Sequence, residues 1–355
     1  MDYAILRQHV AQARRQHGAR QRDVATELGL SEGELVAAHV GAAAPAALHA
    51  TVLHADWPAL FAELAMLGNV LALTRNDDCV HEKLGVYRPF SHDGATGLVL
   101  GEAIDLRLFF TAWAHGYAVE DTGCGAPQQS LQFYDRYGDA VHKIFRQTST
   151  DAAGWNDLVA RFTHASQAPG LAPQRRPLAE AERPDAQVDV AGLCHAWASL
   201  RDTHDFFALL KRFGVSRRQA LRLAEPRFAS ALAPNAITLL LSEAARRGVP
   251  IMVFTGNPGT IQIHSGPVKR VFVQGAWINV MDEGFNLHLR QDRVTDAWLV
   301  RKPTRDGLVS SLELFNAEGK TVAMLFGVRK PGVREREDWR ALLAWLQEEA
   351  EPCQA

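Results

Sequence analysis

The chain has 355 residues, and its 38 lysines and arginines against 40 aspartates and glutamates give a formal net charge of −2. This near-neutral balance argues against a strongly basic nucleic-acid-binding protein. Hydrophobic residues make up 47% of the chain and charged residues 22%, a composition typical of a globular protein and not of a disordered one.

Two features indicate the compartment. No apolar run reaches the roughly 18 residues of a membrane span, and the N-terminus lacks the apolar region of a signal peptide. The four cysteines, Cys79, Cys124, Cys194 and Cys353, are far apart and form no CxxC pair, which is typical of reduced thiols. We therefore expect a cytoplasmic protein.

The first 65 residues carry helical spacing of apolar residues over 3–65. Within them, residues 21–35 have the Ala, Gly and Leu spacing of a helix-turn-helix, which would indicate a DNA-binding regulator. Its second helix, 31–38, carries Glu32 and Glu34 and no Lys or Arg, so it would repel phosphates. We favour two short packed helices and keep the regulator as a distant alternative.

Within each half of the chain, helical patterns precede strand patterns. A strand pattern at 69–75 precedes a segment over 165–189 with four prolines, which predicts a linker. Helical spacing returns over 190–247. Strand patterns then occupy 251–255, 270–281, 285–290, 297–302 and 308–327, and Gly319 is predicted to lie in a hairpin turn within the last of these.

An internal repeat relates the two halves of the chain. Residues 104–108 match 285–289, and 130–134 match 311–315, in both cases 181 residues further on. No ten-residue helices alternate with the strands, so parallel βαβ winding is disfavoured. We predict an α+β fold with a tandem repeat, each half having N-terminal helices and a large, mainly antiparallel sheet. The predicted boundaries are 1–164 for the first repeat, 165–189 for the linker and 190–355 for the second repeat.

The helix predicted over 202–214 contains a candidate metal ligand. Asp202 is a good N-cap, Asp205 follows three residues later as in a capping box, and Gly214 supplies a helix stop. His204 is then placed in the first turn, where the helix dipole favours the neutral imidazole that binds metals, although Asp202 and Asp205 act in the opposite sense. Local spacing alone does not distinguish a ligand from an ordinary helix-start residue.

Several strings of the sequence resemble one protein family. They are DTHDFFALLKRFGVSRRQAL (202–221), IMVFTGNPG (251–259), QIHSG (262–266), FNLHLR (285–290), RKPT (301–304) and SSLELF (310–315), with LVAAHVG (35–41) and VHEKLG (80–85) in the first half. Together they resemble the cytoplasmic haem-utilisation proteins of Gram-negative bacteria, known as hemin transport proteins or hemin-degrading factors. The resemblance covers nearly the whole chain.

This resemblance implies a haem cleft in which a protein imidazole binds the iron. His204 matches the proximal ligand. Arg107 matches a residue on the opposite face of haem, with a tentative catalytic role, and Phe109 matches an apolar wall residue. The residues that match those holding the haem propionates are Arg217, Lys302 and Arg329. Guanidinium and ammonium groups suit carboxylates, and imidazole suits haem iron.

The resemblance further implies haem b, and the absence of a C-x-x-C-H motif means that it would be held without a covalent bond. Phe326 stands where a Tyr is expected and Met324 where a polar residue is expected, so one or two hydrogen bonds of related pockets are predicted to be missing. In the alignment of the two halves, His288 falls on Arg107. Equivalent positions therefore carry different residues, which favours one haem per chain.

Alternatives remain for each of these residues. Arg107, Arg217, Lys302 and Arg329 are each also of the type found as solvated surface charges, and Phe109 is equally typical of a core. His195, beside Cys194, is a second candidate ligand. We rank it below His204 because it lies outside the string that carries the resemblance.

The function implied is uptake of imported haem for trafficking, for oxidative degradation with iron release, or for both. A carrier would bind haem through His204 and hand it to a separate haem oxygenase without being an enzyme. A degrading enzyme would leave the sixth iron position to O2 or peroxide and, having no flavin or nicotinamide fingerprint, would take electrons from an external donor. A haem importer, a haem oxygenase and a reductase are the expected partners.

Overall fold

The structure is a computed structural model that describes residues 2–17, 20–43, 46–123, 126–178, 181–330 and 332–351. The chain forms two compact units. The first consists of Met1–Arg75, His81–Pro177 and Gly256–Gln262, and the second of Asn76–Val80, Leu178–Thr255 and Ile263–Ala355. The main division thus falls inside the predicted linker, and the predicted repeat boundaries stay a prediction.

Helices and antiparallel strands make up the first half of the chain. Its helices are α1 (Tyr3–His17), α2 (Gln21–Glu27), α3 (Glu32–Ala37), α4 (Trp57–Glu63) and α5 (Ala152–Phe162). Its strands are β1 (Leu48–Val52), β2 (Val70–Arg75), β3 (Cys79–Gly85), β4 (Phe90–Asp93), β5 (Thr96–Leu100), β6 (Asp105–Phe109), β7 (His115–Asp121), β8 (Gln128–Tyr134) and β9 (Ala140–Arg146). Five strands pair in the order β1-β7-β8-β9-β2, and three pair as β4-β5-β6, all antiparallel.

The second half repeats this order of elements. Its helices are α6 (Val190–Ala198), α7 (Asp205–Phe213), α8 (Arg217–Leu223), α9 (Ala236–Arg247) and α10 (Glu337–Glu349). Its strands are β10 (Ala229–Leu232), β11 (Ile251–Asn257), β12 (Thr260–Gly266), β13 (Val271–Gln274), β14 (Trp277–Asp282), β15 (Phe285–Arg290), β16 (Asp296–Thr304), β17 (Gly307–Phe315) and β18 (Thr321–Gly327). The antiparallel orders β10-β16-β17-β18-β11 and β13-β14-β15 match those of the first half.

The five-stranded sheet of the second unit has two differently covered faces. Alternate residues such as Val253, Leu312 and Leu325 are buried in a core that includes Leu240 of α9 and Trp339 of α10. On the opposite face a smaller core joins helices α6, α7 and α8 to the sheet. This second core contains Leu193, Trp197, Phe206, Leu210, Leu221, Val300 and Phe315. Helices α7 and α8 are therefore held over one face of the sheet by burial of apolar side chains.

The predicted linker is anchored in part by its own unit at each end. In the first unit, the backbone N–H of Gly170 donates to the carbonyl of Ala37 at 2.9 Å. In the second unit, Gln219 of α8 donates to the carbonyl of Arg183 at 2.5 Å and to the carboxylate of Asp185 at 2.9 Å. Those parts of 165–189 are thus hydrogen-bonded to helices of the folded units.

The structure confirms the α+β class and corrects several predicted elements. The hairpin of β17 and β18 is present, with Gly319 at φ +72° in its turn. The helical pattern over 3–65 was wrong at β1, and that over 190–247 was wrong at β10, because both strands are short. The pattern over 270–281 is two strands, since Gly275 adopts φ +58° between them.

The helix-turn-helix segment forms two short helices, α2 and α3. Ser31 caps α3 in a capping box with Glu34. Leu35, Val36 and Ala37 are fully buried in the core that also contains Tyr134 of β8. Because α3 packs inward, the helix that would read DNA has its apolar face covered by protein.

Candidate functional site

His204 lies at the surface immediately before α7. It is the N-cap residue of that helix, and its side chain is 93% exposed. The carboxylate of Asp202 accepts two hydrogen bonds from this residue, one from its backbone N–H at 2.8 Å and one from ring Nδ1 at 2.6 Å. The prediction that Asp202 is the N-cap was wrong, because its side chain binds His204 and the helix begins at Asp205.

The ring of His204 therefore has one engaged nitrogen and one open nitrogen. The pKa of Asp202 is lowered, first by the backbone hydrogen bond from His204 and then by the ring hydrogen bond, with a smaller contribution from the charge of Arg329. An ionised carboxylate can only accept, so Nδ1 carries the proton and Nε2 presents a lone pair. A neutral imidazole in this form can bind a metal through Nε2.

Helix α7 presents both polar and apolar groups. Its first residues follow His204, its inner stripe of Phe206, Leu209 and Leu210 is buried, and Gly214 at φ +61° ends it as predicted. Phe207 is 74% exposed. Residues three apart lie on the same face of a helix, so Phe207 lies on the same face of α7 as His204.

Arg217 and Lys302 are brought together by a buried carboxylate. Arg217, the first residue of α8, binds Glu313 of β17 with Nε at 2.5 Å from Oε2 and Nη2 at 2.8 Å from Oε1. Lys302 of β16 places Nζ 2.7 Å from the same Oε1. Glu313 is fully buried, Lys302 is 3% exposed and Arg217 is 26% exposed. The possibility that Lys302 is a solvated surface charge is thereby wrong.

Opposing effects set the charges of this cluster. Burial would raise the pKa of Glu313, but the charges of Arg217 and then Lys302 outweigh burial and hold that pKa far below its usual range. Burial lowers the pKa of Lys302 to about 8, so its ammonium is still protonated at neutral pH. Two cations against one carboxylate leave a net charge of +1 in a site shielded from water.

Phe206 connects this cluster to the histidine. Its ring lies 5.1 Å from the guanidinium of Arg217 and 4.6 Å from Nζ of Lys302, both within the range of cation–π attraction. It follows His204 by two residues in the chain. The exposed imidazole and the buried cations are thus attached to the same short helix and its neighbours.

The sheet beside the cluster carries a half-buried apolar patch, formed by Met252, Phe254, Met324 and Phe326. Phe254 lies directly opposite Met324, which lies opposite Glu313, so these three side chains share one face of the sheet. The rings of Phe254 and Phe326 meet edge to face at 5.0 Å. An apolar, aromatic surface next to cationic groups suits a flat apolar ligand that bears carboxylates.

Arg329, two residues after β18, is half-buried. Its Nη1 is buried and has no hydrogen-bond partner in the structure. A buried guanidinium N–H without a partner is uncommon, because its desolvation is not offset. Arg329 therefore retains an unused donor on the side of the fold where its charge acts on Asp202.

The remaining predicted residues are placed separately. Arg107 and Phe109 lie on β6 in the first unit, where Arg107 forms an ion pair with Asp105 and both residues are partly exposed. His195 is exposed on α6, and the structure describes no hydrogen bond to its ring. Local geometry thus favours His204 over His195, since only the ring of His204 is oriented by a carboxylate.

The first unit has a polar cluster with the opposite arrangement. Glu32, the first residue of α3, binds Lys143 of β9 at 2.7 Å and forms an ion pair with Arg75. Burial raises the pKa of Glu32, but Arg75 and Lys143 outweigh it and lower the pKa to about 2. Glu32 and Arg217 are equivalent as the first residues of helices capped by Ser31 and Ser216, and the repeat spacing of 181 residues matches Asp121 to Lys302.

Comparison with known proteins identifies the family. A family model described as the haemin-degrading HemS/ChuX domain matches the chain twice, over residues 29–162 and 214–346. The chain belongs to the haemin-degrading HemS/ChuX family. The two matches begin at Gly29 and Gly214, which end equivalent turns before α3 and α8, so the predicted tandem repeat is confirmed.

Members of the HemS/ChuX family match the chain from end to end. The hemin transport protein HmuS of Yersinia pestis is 39% identical over 97% of each chain. The haem-bound structure of PhuS, a haem-binding protein from Pseudomonas aeruginosa, is 43% identical, with a TM-score of 0.92 over 96% of this chain and 98% of that one. ChuS, an Escherichia coli haem oxygenase, is 33% identical, with a TM-score of 0.85 over 98% and 99%.

The described residues of this HemS/ChuX chain contain neither a membrane-spanning helix nor a cluster of metal-binding side chains. None of its described helices is long and apolar enough to cross a membrane. Among the same residues, no group of three or more His, Cys, Asp or Glu side chains is placed to hold a metal ion. A single imidazole such as His204 is instead the kind of ligand that a haem iron takes from a protein.

Sequence reasoning missed Glu313 and Phe207. A signal for Glu313 was present, because a Glu inside the apolar strand SSLELF must be paired with a cation if it is buried. Phe207 had no such signal, since helical spacing does not show which of two adjacent aromatics faces outward. Cys124 and Cys353 lie outside the described residues, whereas Cys79 and Cys194 are free and buried.

Proposed function

We propose that this chain takes up haem in its second unit, with Nε2 of His204 as the iron ligand. The observation that carries the proposal is the exposed imidazole whose Nδ1 is held by Asp202. Haem would supply an iron that accepts one protein nitrogen and keeps a further position open. The curated relatives are hemin transport proteins, which supports haem as the cargo.

The residues present fit the rest of the haem molecule. Arg217 and Lys302 hold a net positive charge beside Phe206, and Arg329 has an unused buried N–H. These groups suit the two propionates of a non-covalently bound haem b. The half-buried patch of Met252, Phe254, Met324 and Phe326 suits the macrocycle, and Met324 and Phe326 would contribute contact without a hydrogen bond.

We propose trafficking as the principal role. In this role His204 binds haem reversibly at the surface and releases it to an acceptor, with an importer and a haem oxygenase as proposed partners. The protein would work in the cytoplasm, which the free thiols of Cys79 and Cys194 support.

Oxidative degradation of haem is the second candidate. It is supported by the 33% identity to ChuS, a haem oxygenase, and by the partly exposed Arg107 on β6. Arg107 is proposed as a donor of hydrogen bonds in this reaction. Electrons would come from an external reductase.

Haemin titration of the apo-protein tests the binding site. We expect a saturable Soret change in the wild type and weaker binding with a shifted Soret band in His204→Ala. His195→Ala is the matched control, being an exposed histidine on the neighbouring helix, and should leave both unchanged. An unchanged spectrum in His204→Ala would place the ligand elsewhere.

The two roles are separated by turnover. With a physiological reductant and catalase present, a degrading enzyme converts the bound haem to a verdohaem-like or biliverdin-like product. Bleaching that occurs only with peroxide would favour the carrier. Arg107→Ala should change the product or the rate more than the affinity.

A further inference from the structure

Asp202 stands out because one of its oxygen atoms makes both hydrogen bonds to the proposed ligand. Oδ1 is 2.8 Å from the backbone nitrogen of His204 and 2.6 Å from its Nδ1. The backbone bond fixes the loop before α7, and the ring bond fixes the imidazole. The turn is closed further by the N–H of Asp205, which donates to the carbonyl of Asp202 at 3.2 Å.

We infer that Asp202 is a positioning residue that makes Nε2 of His204 the iron-binding atom and makes the imidazole a strong electron donor. This inference rests on the proposed function. A carboxylate that accepts from Nδ1 excludes the other neutral tautomer, in which Nε2 would carry the proton and could not bind iron. It also increases the negative character of the ring, which raises the basicity of a metal-bound histidine.

The exposure of His204 gives this bond its importance. A ligand that is 93% exposed has few packing contacts to hold its ring in one orientation. In a buried site, neighbouring side chains would limit the rotamers, but here the carboxylate is the described group that limits them. Removing it therefore affects both the tautomer and the ring angle.

The first test uses apo-protein and needs no haem. In ring-labelled wild-type protein, the ¹⁵N NMR signals of His204 should show a protonated Nδ1 and an unprotonated Nε2 at a pH where the ring is neutral. In Asp202→Ala the two tautomers should mix. A wild-type ring that is protonated on Nε2 would overturn the inference.

The second test uses the haem complex. Asp202→Asn should make the haem reduction potential more positive, lower the iron–imidazole stretching frequency of the ferrous form and weaken haemin binding by about 10-fold or more. Asp205→Asn is the matched control, because it removes the same charge one residue from His204 without a described bond to the ring. Equal shifts in both variants would show a general charge effect and overturn the inference.

The outcome for His204→Ala separates the two levels of the argument. If His204→Ala leaves the Soret band unchanged, the proposed haem ligand is wrong. If His204→Ala changes the band but Asp202→Asn leaves potential, stretching frequency and affinity as in the wild type, the role of Asp202 alone is wrong.

Discussion

At the scale of single residues, the buried carboxylate of Glu313 determines what Arg217 and Lys302 do in the apo-protein. Both cations are held by Glu313, so they are oriented before any ligand arrives. A propionate would meet a preformed pair of donors with a net positive charge, and little side-chain freedom would be lost on binding. The same arrangement makes Glu313 important for stability.

The contribution of ionised Glu313 to stability should appear in the pH dependence of the free energy of unfolding. Because its folded-state pKa lies below the usual 4.5, its ionisation stabilises the fold above about pH 5, and this stabilisation is lost as the pH falls. At pH 7, Glu313→Gln should lower the free energy of unfolding by about 3 kcal/mol, since it leaves two cations unpaired. Urea unfolding at pH 7 and pH 4 measures this difference, which should be smaller at pH 4.

Glu225→Gln is a suitable control, because Glu225 forms an ion pair with Arg227 in which both side chains are at least half exposed. Such exposed pairs contribute little to stability. An equally large and equally pH-dependent effect there would contradict the special role of Glu313.

Much of the candidate site was predictable at this scale, for a clear reason. His204, Arg217 and Lys302 lie in strings that resemble the family, and the structure places Arg217 and Lys302 on one carboxylate. The burial and pairing of Arg217 and Lys302 were not predictable, because a sequence does not show that a carboxylate far along the chain is buried beside them. Only the register of β16 and β17 brings Lys302 close to Glu313.

At the scale of elements, the turn between α7 and α8 links the proposed ligand to the cationic cluster. Gly214 ends α7 in the left-handed region, Ser216 caps α8, and Arg217 follows at once. The positions of His204 and Arg217 thus depend on one short turn. Helix caps and glycine stops have strong local signals, and for this reason the end of α7 was predicted correctly.

Replacing Gly214 with Ala should weaken both folding and haemin binding. An alanine at φ +61° should cost about 1 kcal/mol of folding free energy, and the strain falls three residues before Arg217. Gly248→Ala is the matched control, since Gly248 ends α9 at φ +68° on the other face of the sheet. Thermal unfolding should show a similar loss for both variants, whereas haemin titration should change only in Gly214→Ala. Equal loss of binding in both would contradict this account.

The start of α7 shows where local reasoning ends. Asp202 has the residue type and spacing of an N-cap, but its side chain binds His204 instead. In an N-cap and in the observed bonds to His204 alike, the carboxylate of Asp202 accepts from nearby N–H donors. The two patterns differ by only a small shift of the chain. Local sequence does not decide between two such similar hydrogen-bond patterns.

At the scale of the whole molecule, the tandem repeat predicts one haem per chain. The first unit has the same order of elements, but Glu32 and Asp121 occupy the positions of Arg217 and Lys302. Both carboxylates are already paired, Glu32 with Arg75 and Lys143 and Asp121 with Arg14, so the two cations proposed to hold the propionates have no counterpart at these positions. The repeat was visible in the sequence because matched strings kept their spacing. The sequence did not show that residues 76–80 belong to the second unit and 256–262 to the first, because that assignment depends on contacts between residues far apart in the chain.

Titration of apo-protein with haemin should saturate at one equivalent, followed by the Soret band and by mass measurement of the complex under native conditions. His204→Ala should lose that equivalent or bind it much more weakly. Two equivalents in the wild type, with one of them retained in His204→Ala, would show that the first unit binds haem as well.

The reversed charges of the two clusters constrain how the halves can exchange sequence. In the second unit the helix supplies a cation, Arg217, to an acid on the sheet, while in the first unit the helix supplies an acid, Glu32, to cations on the sheet. A recombination that copied α3 into the place of α8 would set two carboxylates, those of Glu32 and Glu313, against each other in a buried site. The reciprocal copy would gather three cations, Arg217, Lys143 and Arg75. Either copy would bury unbalanced charge, so the helix and the sheet of each repeat have to keep their charges matched to each other.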